Sequence, residues 1–472
     1  MAVKEAAQTG SKKKWSGKKK AGVAFFFLTV LYLGISIYFM FHFFFGTTIN
    51  GYECQFKTLD EVKGYMKEYS ENYTLKLKER LDREESISAS EIGLTFLDDG
   101  KLERIKEGQN GFLWITALWK DYSYEKAISF QYDEGALKEK FQSLNCFNKD
   151  MIVKPKSAYP RYSTYNKKYE IVNEVEGNVV KEEELFAKIE NAISGDEYVI
   201  DLDKEDLYKN PAYYRDHEKV LAAKEELNKY VSAKITYDMD YTKEVVDAED
   251  IHKWLSVDKK YQVTIDKTKI REFMAWMGEK YNTAGQERKF KTPGGSTISV
   301  WGGTYGWRLN QVDETEELYK LVKKGAVKEK EPLYIQKGLP RDKNGDDIGD
   351  TYIAISISAQ TMWFYKNGEC LISTSVVTGN TSLGRGTPKG VYSIAFKQRN
   401  HTLRGQGYAS FVNYWLPFYE YRGIGIHDAS WRGSYGGNIY TYNGSHGCVN
   451  TPYYAVQYIY ERVEPGTPVI VY

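Results

Sequence analysis

The chain has 472 residues, 42% of them hydrophobic and 27% charged, enough for about three domains with cores of their own. Forty glycines against eleven prolines exclude a collagen-like or Pro-rich disordered chain, and a net charge of +1 gives no basis for bulk nucleic-acid binding. The 40 tyrosines pair a stacking face with a hydroxyl, a composition suited to wet, sugar-rich surfaces.

The charge is unevenly spread. Residues 1–20 carry seven lysines and one acid, Glu5, a local charge of +6. Residues 351–472 carry +4, so the stretch between them carries −9, which reads as a solvated acidic surface. Residues 21–45, AGVAFFFLTVLYLGISIYFMFHFFF, contain no Asp, Glu, Lys or Arg. As a helix they would span ~37 Å, more than a ~30 Å hydrocarbon layer requires. The run exceeds the h-region of a signal peptide and no small-x-small site follows Phe45. It therefore reads as an uncleaved single-pass anchor, with the lysine-rich tail (1–20) in the cytoplasm and the rest outside. His42 falls at the interface.

Beyond the anchor, Thr58-Leu59-Asp60-Glu61 is a capping box that opens an amphipathic helix. Phe112–Leu118 and Lys126–Tyr132 read as strands. From Tyr169 a strand, a turn and a helix follow, with Leu185, Ile189 and Ile193 at i, i+4 and i+8. A shorter echo begins at Trp307, with Glu316 and Leu318 in the places of Glu183 and Leu185. The two stretches are either an internal duplication of one α/β unit or an unrelated pair. Helices are expected from near Asp216 and over Arg271–Lys280. Lys328–Asp350 is charged and Gly-rich and reads as a linker, its Asp342-Lys-Asn-Gly-Asp-Asp lacking the glycine and glutamate positions of a calcium loop. From Tyr352 the pattern alternates at period two, with a turn at Lys366-Asn367-Gly368. This end reads as a mostly-β sandwich or small barrel with one helix at Tyr453–Val463.

The chain has six histidines, and two of them, with a cysteine, fall within 22 residues: Ile426-His427-Asp428, then Ser445-His446-Gly447-Cys448-Val449-Asn450. A thiol needs a base nearby to act as a nucleophile at neutral pH, and histidine is the natural one. Glycine beside it lets substrate backbone approach and leaves amides for an oxyanion hole. The same triplet also fits an inert buried cysteine, whereas a zinc site would need further ligands at short spacing.

Residues 352–472 resemble the catalytic domain of L,D-transpeptidases, the cysteine enzymes of bacterial cell walls. That family's motif is a His, a spacer of about 14–18 residues and Ser/Thr-His-Gly-Cys-hydrophobic-Asn/Arg, and here 17 residues separate His427 from Ser445. Gln360-x-x-Trp363-x-Tyr365, Val377-Thr378-Gly379, Thr387-Pro388-x-Gly390 and Gly466-Thr467-Pro468-Val469 add to the likeness. The preceding α/β stretches loosely resemble the peptidoglycan-binding modules of Gram-positive wall enzymes. The chain so divides into the basic tail, the anchor, an α+β wall-binding region (46–230), a second α/β unit (231–335), a linker (336–350) and a catalytic domain (351–472).

The resemblance implies that Cys448 is the nucleophile and His427 the proton acceptor and donor, with Asp428 orienting His427 by side chain or by backbone carbonyl. It implies that His446 and Gly447 shape an oxyanion hole and that Ser445 and Asn450 fix the loop or hold the donor peptide. Arg432 and Arg385 are candidates for substrate carboxylates, and Trp431, Tyr435 and Tyr442 for a lid or for core. The expected partners are stem peptides and the membrane, with carbapenem-type β-lactams as inhibitors and no metal or other cofactor. The expected reaction is cleavage before the terminal D-Ala of a tetrapeptide stem and 3→3 cross-linking. L,D-carboxypeptidase action, wall-protein anchoring and a catalytically dead wall-binding fold are the alternatives. Sortases place His far upstream of Cys, and papain-like peptidases place Cys first, so neither order fits. With Cys448 a working thiol and Cys370 near the chemistry, Cys54–Cys146 is the favoured disulfide; four reduced cysteines is the other reading.

Overall fold

The computed structural model describes residues 17–125, 127–195, 197–405 and 407–472. Two compact units emerge: residues up to Ala158 with Asn173–Arg215, and Tyr159–Val172 with Asp216–Tyr472. Helix Glu218–Val231 thus belongs to the second unit, whereas the sequence placed a boundary after 230.

In the first unit, helix α1 (Gly17–Phe41) is the apolar run, with Lys18, Lys19 and Lys20 at its start. It ends earlier than the expected 45, because Phe43 and Phe44 turn into the protein core. Helix α2 (Leu59–Asn72) starts at the predicted capping box: Thr58 Oγ1 accepts from Glu61 N, and Glu61 Oε2 accepts from Thr58 N at 2.7 Å. Strands β1 (Thr74–Glu79) and β2 (Arg83–Ser88) form a hairpin, and β3 (Val199–Asp201) returns parallel to β1. Between them helix α3 (Glu182–Gly195) buries Leu185, Ile189 and Ile193 as the spacing predicts.

Three expectations fail in this unit. Phe112–Leu118 is not a strand but part of a 3₁₀ helix, Gly111–Leu118, packed along α1. The run is apolar on every side, with no alternation to select a sheet. Of Lys126–Tyr132 only Ser129–Gln131 is strand, and Lys126 lies outside the described residues. Cys54 and Cys146 are both free, because each is buried in a different apolar cluster.

The second unit begins with the same order of elements. Helix α4 (Glu218–Val231) precedes a hairpin of β4 (Lys234–Asp238) and β5 (Lys243–Val246). After α5 (Lys267–Tyr281) and α6 (Gln311–Lys324), strand β6 (Val327–Lys330) returns parallel to β4. Helix, hairpin, helix and returning parallel strand therefore occur twice, which favours the duplication reading. The strand Lys168–Val172 is not part of the repeat; it pairs with Tyr159–Ser163 and packs on α4.

The expected linker 336–350 is partly core. Asp347 is fully buried and ion-paired to Arg288, and Thr283 Oγ1 donates to it at 2.7 Å. Tyr305 OH donates to the Asp347 carbonyl (2.6 Å), and Ile348 joins a cluster with Phe290, Val300, Val391 and Ile470. A buried acid demands such partners, and the sequence did not show that Arg288 would supply one. The turn before it is solvated as read: Asp342 Oδ1 accepts from its own loop, from Asn344 N and Asp346 N.

The C-terminal region has two sheets and no closed barrel. The first has the order β9 (Glu369–Ser375), β8 (Thr361–Lys366), β7 (Tyr352–Ser356), β15 (Pro468–Val471), β10 (Gly390–Ser393). The second has the order β11 (Gln398–Gly405), β12 (Tyr408–Tyr419), β13 (Ile424–Asp428), β14 (Val449–Thr451). Asn367 and Gly368 make the predicted turn with positive φ of 51° and 79°. Both sheets and helix α7 (Tyr453–Arg462) share one core, including Ile353, Phe364, Leu416, Ile426, Val456 and Val469.

Asp347→Ala should destabilise the second unit by about 3–5 kcal/mol, since it strands the Arg288 guanidinium in the interior. Native-state hydrogen exchange at Tyr305, Leu339 and Ile348 measures it. A loss below ~1 kcal/mol would mean that 336–350 is a tether after all.

Candidate active site

Strand β13 pairs in parallel with β14, setting Ile426 opposite Val449 and His427 opposite Asn450. Side chains alternate along a strand, so Cys448, two residues before Asn450, shares the face of His427.

The His427 imidazole is 2% exposed, with Trp415 and Trp431 at ring-centroid distances of 5.9 and 6.0 Å. Its Nδ1 lies 2.8 Å from the backbone carbonyl of Asp428, so Nδ1 carries the proton and Nε2 keeps a lone pair. Asp428 therefore orients the ring by its backbone. Its carboxylate is turned away, accepting from Asn413 N (2.8 Å), Tyr414 N (2.9 Å) and Asn413 Nδ2 (2.9 Å), which ties β12 to β13. Burial pushes the imidazole down to about 4.

Asn450 is buried and satisfies both neighbours with its oxygen accepting from Arg432 Nε (2.6 Å) and Nη2 (3.1 Å) and its Nδ2 donating to His427 Nε2 (3.3 Å). Both were read as substrate-binding residues. The structure engages them with each other and with the base. Arg432 is half-buried, and its desolvation lowers its pKa.

Cys448 is half-buried on the wall of a pocket that also includes Phe396, His401, Leu403, Tyr408 and Trp415. Its Sγ donates to Gly423 O at 3.5 Å, while the Gly425 amide faces the sulfur and favours the thiolate. Burial dominates and pushes the thiol up to about 11. At rest the Cys448 thiol and the His427 imidazole are both neutral.

The loop carrying the cysteine is clamped. Ser445 Oγ donates to Cys448 O and accepts from Gly447 N at 3.0 Å. The Gly447 amide, expected in an oxyanion hole, is thus already occupied. Gly447 has φ +124°, and a Cβ there would crowd Ile424. Thr387 Oγ1 donates to Gly447 O (2.7 Å) and accepts from Gly379 N (3.0 Å). Ser445 N donates to Thr378 O, and Asn380 N to Ser445 O. Buried Gln360 holds Thr378 through both its backbone N and its hydroxyl. The Gln360, Val377–Gly379 and Thr387 motifs therefore brace the cysteine loop.

His446 is exposed, accepting from Arg385 Nη1 at 2.6 Å and stacked on Tyr408 at 4.7 Å. Burial and Arg385 lower its pKa. Arg385 is exposed beside it. Trp431 covers His427, Tyr435 OH donates to Ala429 O (2.8 Å), and Tyr442 is 70% exposed, away from any core. Sequence reading missed Tyr408, Trp415 and Gly423, whose only signal was a Gly/Tyr/Trp-rich stretch.

The family of L,D-transpeptidase catalytic domains matches residues 350–471, and a family described as "Putative peptidoglycan binding domain" matches residues 218–329. A crystal structure of an Enterococcus faecium L,D-transpeptidase mutant is 34% identical, covers 54% of this chain and is itself covered completely, with a TM-score of 0.45. The catalytic domain of an E. faecium L,D-transpeptidase acylated by ertapenem is 39% identical over 27% of this chain and 100% of its own, with a TM-score of 0.25. An L,D-transpeptidase from Mycobacterium tuberculosis is 25% identical over 26% of this chain and 57% of its own, with a TM-score of 0.23. Among curated proteins nothing matches. On the identity and full coverage of the E. faecium enzyme, and on the matched catalytic domain, the chain belongs to the L,D-transpeptidase family.

Proposed function

We propose that this peptidoglycan L,D-transpeptidase works through Cys448 as nucleophile and His427 Nε2 as base. The observation that carries the reading is the imidazole held through Nδ1 by the Asp428 carbonyl, on the strand face of Cys448. As the weak 3.3 Å bond from Asn450 Nδ2 to Nε2 is given up, the thiol proton leaves the Gly423 carbonyl and passes to Nε2 while Sγ attacks the amide before the terminal D-Ala of a tetrapeptide stem. The imidazolium returns that proton to the leaving amine, D-Ala departs, and a thioester remains. A second stem's side-chain amine, giving up a proton to Nε2, replaces the thiol and forms a 3→3 cross-link. The amides of His446 and Cys448 serve the tetrahedral oxyanion, since Gly447 N is bound to Ser445. Arg385, exposed and bonded to His446, is the candidate for a substrate carboxylate.

Around this centre, α1 is read as a single membrane crossing: its mean hydropathy reaches 2.2 and little of its apolar stretch is buried. The lysines at its start support a reading with the N-terminus in the cytoplasm and the enzyme at the cell wall. The matched stretch 218–329 and its repeat in the first unit are read as wall-binding modules. The related E. faecium catalytic domain, acylated by ertapenem, supports carbapenems as acylating inhibitors here.

Incubation of the protein with a tetrapeptide-stem muropeptide, followed by mass spectrometry, tests the reaction. A 3→3 dimer with loss of D-Ala, absent with Cys448→Ala, is expected. Tripeptide without dimer would replace transfer by L,D-carboxypeptidase action, and turnover by Cys448→Ala would remove the nucleophile assignment.

The neutral pair predicts a pH profile. The folded His427 titrates near 4, below its unfolded value, so it remains a competent base down to that pH. The Cys448 thiol holds its proton up to about 11. The rate of carbapenem acylation should therefore be flat from about pH 5.5 to 9 and fall only toward pH 4. An inflection near the ordinary imidazole value would contradict the buried neutral pair.

A further inference from the structure

The 3₁₀ helix Gly111–Leu118 is an apolar element on the outside of the first unit. From Gly111 to Trp119 the sequence GFLWITALW has no charged residue. Leu113, Leu118 and Trp119 are 54%, 56% and 80% exposed, which water does not reward in one contiguous patch. Their neighbour is α1. Gly111 lies so close that a Cβ would meet Ser36 O at 2.5 Å and Met40 at 2.8 Å. Tyr32 OH donates to Phe112 O, and Trp114 packs against Tyr32 and Phe39.

Depth follows from helix geometry. From Lys20 to Phe41 a helix rises ~31 Å, the thickness of the hydrocarbon layer. The α1 residues that carry the 3₁₀ helix, Tyr32 to Met40, then fall in the outer half of that layer. Backbone in such a place must satisfy itself. Leu113 N donates to Asn110 O (2.7 Å), Trp119 N to Thr116 O (3.1 Å) and Phe112 N to Asn110 Oδ1 (3.0 Å). Thr116 Oγ1 donates to Leu113 O at 2.7 Å. Trp119 at its end is the amphipathic ring favoured at the lipid–water boundary, and Lys120 follows it.

We propose that Phe112–Trp119 is a second membrane-contacting element, immersed in the outer leaflet beside α1, its occupant being phospholipid acyl chain. The proposal rests on the reading of α1 as a membrane crossing. Together the two elements hold the first unit at the bilayer by a broad apolar foot instead of by a single helix.

The test uses the full chain in phosphatidylglycerol/phosphatidylethanolamine vesicles doped with a phospholipid bearing a photoreactive diazirine in its acyl chain. Adducts are located by peptide mass spectrometry. Adducts in both 21–41 and 111–119 are expected, with those in 111–119 lost from a Leu113→Glu, Leu118→Glu variant whose α1 still labels. Adducts in α1 alone would overturn the proposal and leave the anchor intact, the patch then being covered by protein or facing water. Adducts in neither segment would overturn the anchor reading and the proposal with it.

Discussion

The parallel pairing of β13 with β14 is the constraint on which the site depends. It sets the strand of His427 beside the strand that Cys448 leads into, although the two residues are 21 apart in sequence. A slip of one residue would send His427 or Cys448 to the opposite side. Much of the neighbouring structure resists that slip. Asp428 spends its carboxylate on β12, Ser445 and Thr387 clamp the loop before Cys448, and Gln360 braces the strand beside them.

Burial then sets the chemistry. Two tryptophans dry the imidazole, and a dry imidazole prefers to be neutral. The same effect raises the buried thiols of Cys54 and Cys146, to about 11 and about 12, and that of half-buried Cys448, to about 11. Thiol acidity therefore does not separate the reactive cysteine from the inert ones. What separates it is a pocket wall and a base whose tautomer is fixed from both sides, by Asp428 O at Nδ1 and by Asn450 at Nε2. Arg432, by holding Asn450, belongs to that same positioning chain.

Local features were legible in the sequence. The capping box at Thr58, the helical stripe of Leu185, Ile189 and Ile193, the Asn367-Gly368 turn and the His/Ser-His-Gly-Cys spacing each need only a few neighbours. What escaped depends on contacts between distant residues. Nothing in Asp347 announces Arg288, nothing in Asn450 announces Arg432, and Cys54 and Cys146 give no sign that separate clusters enclose them. The segment Phe112–Leu118 has β-prone residues, yet its backbone follows the helix it lies against. Ser445 is expected to fix the loop or hold the donor peptide, but nothing in the sequence says that it would fix the loop by taking up the Gly447 amide.

The neutral, Nδ1-protonated imidazole is the claim from which the rest follows, and nitrogen-15 NMR of His427 tests it most directly. In protein labelled at its histidine ring nitrogens, with His427→Gln for assignment, His427 should show a protonated Nδ1 and a bare Nε2 at neutral pH. That pattern should persist until the pH nears 4. An imidazolium at neutral pH, or a proton on Nε2, would contradict the account.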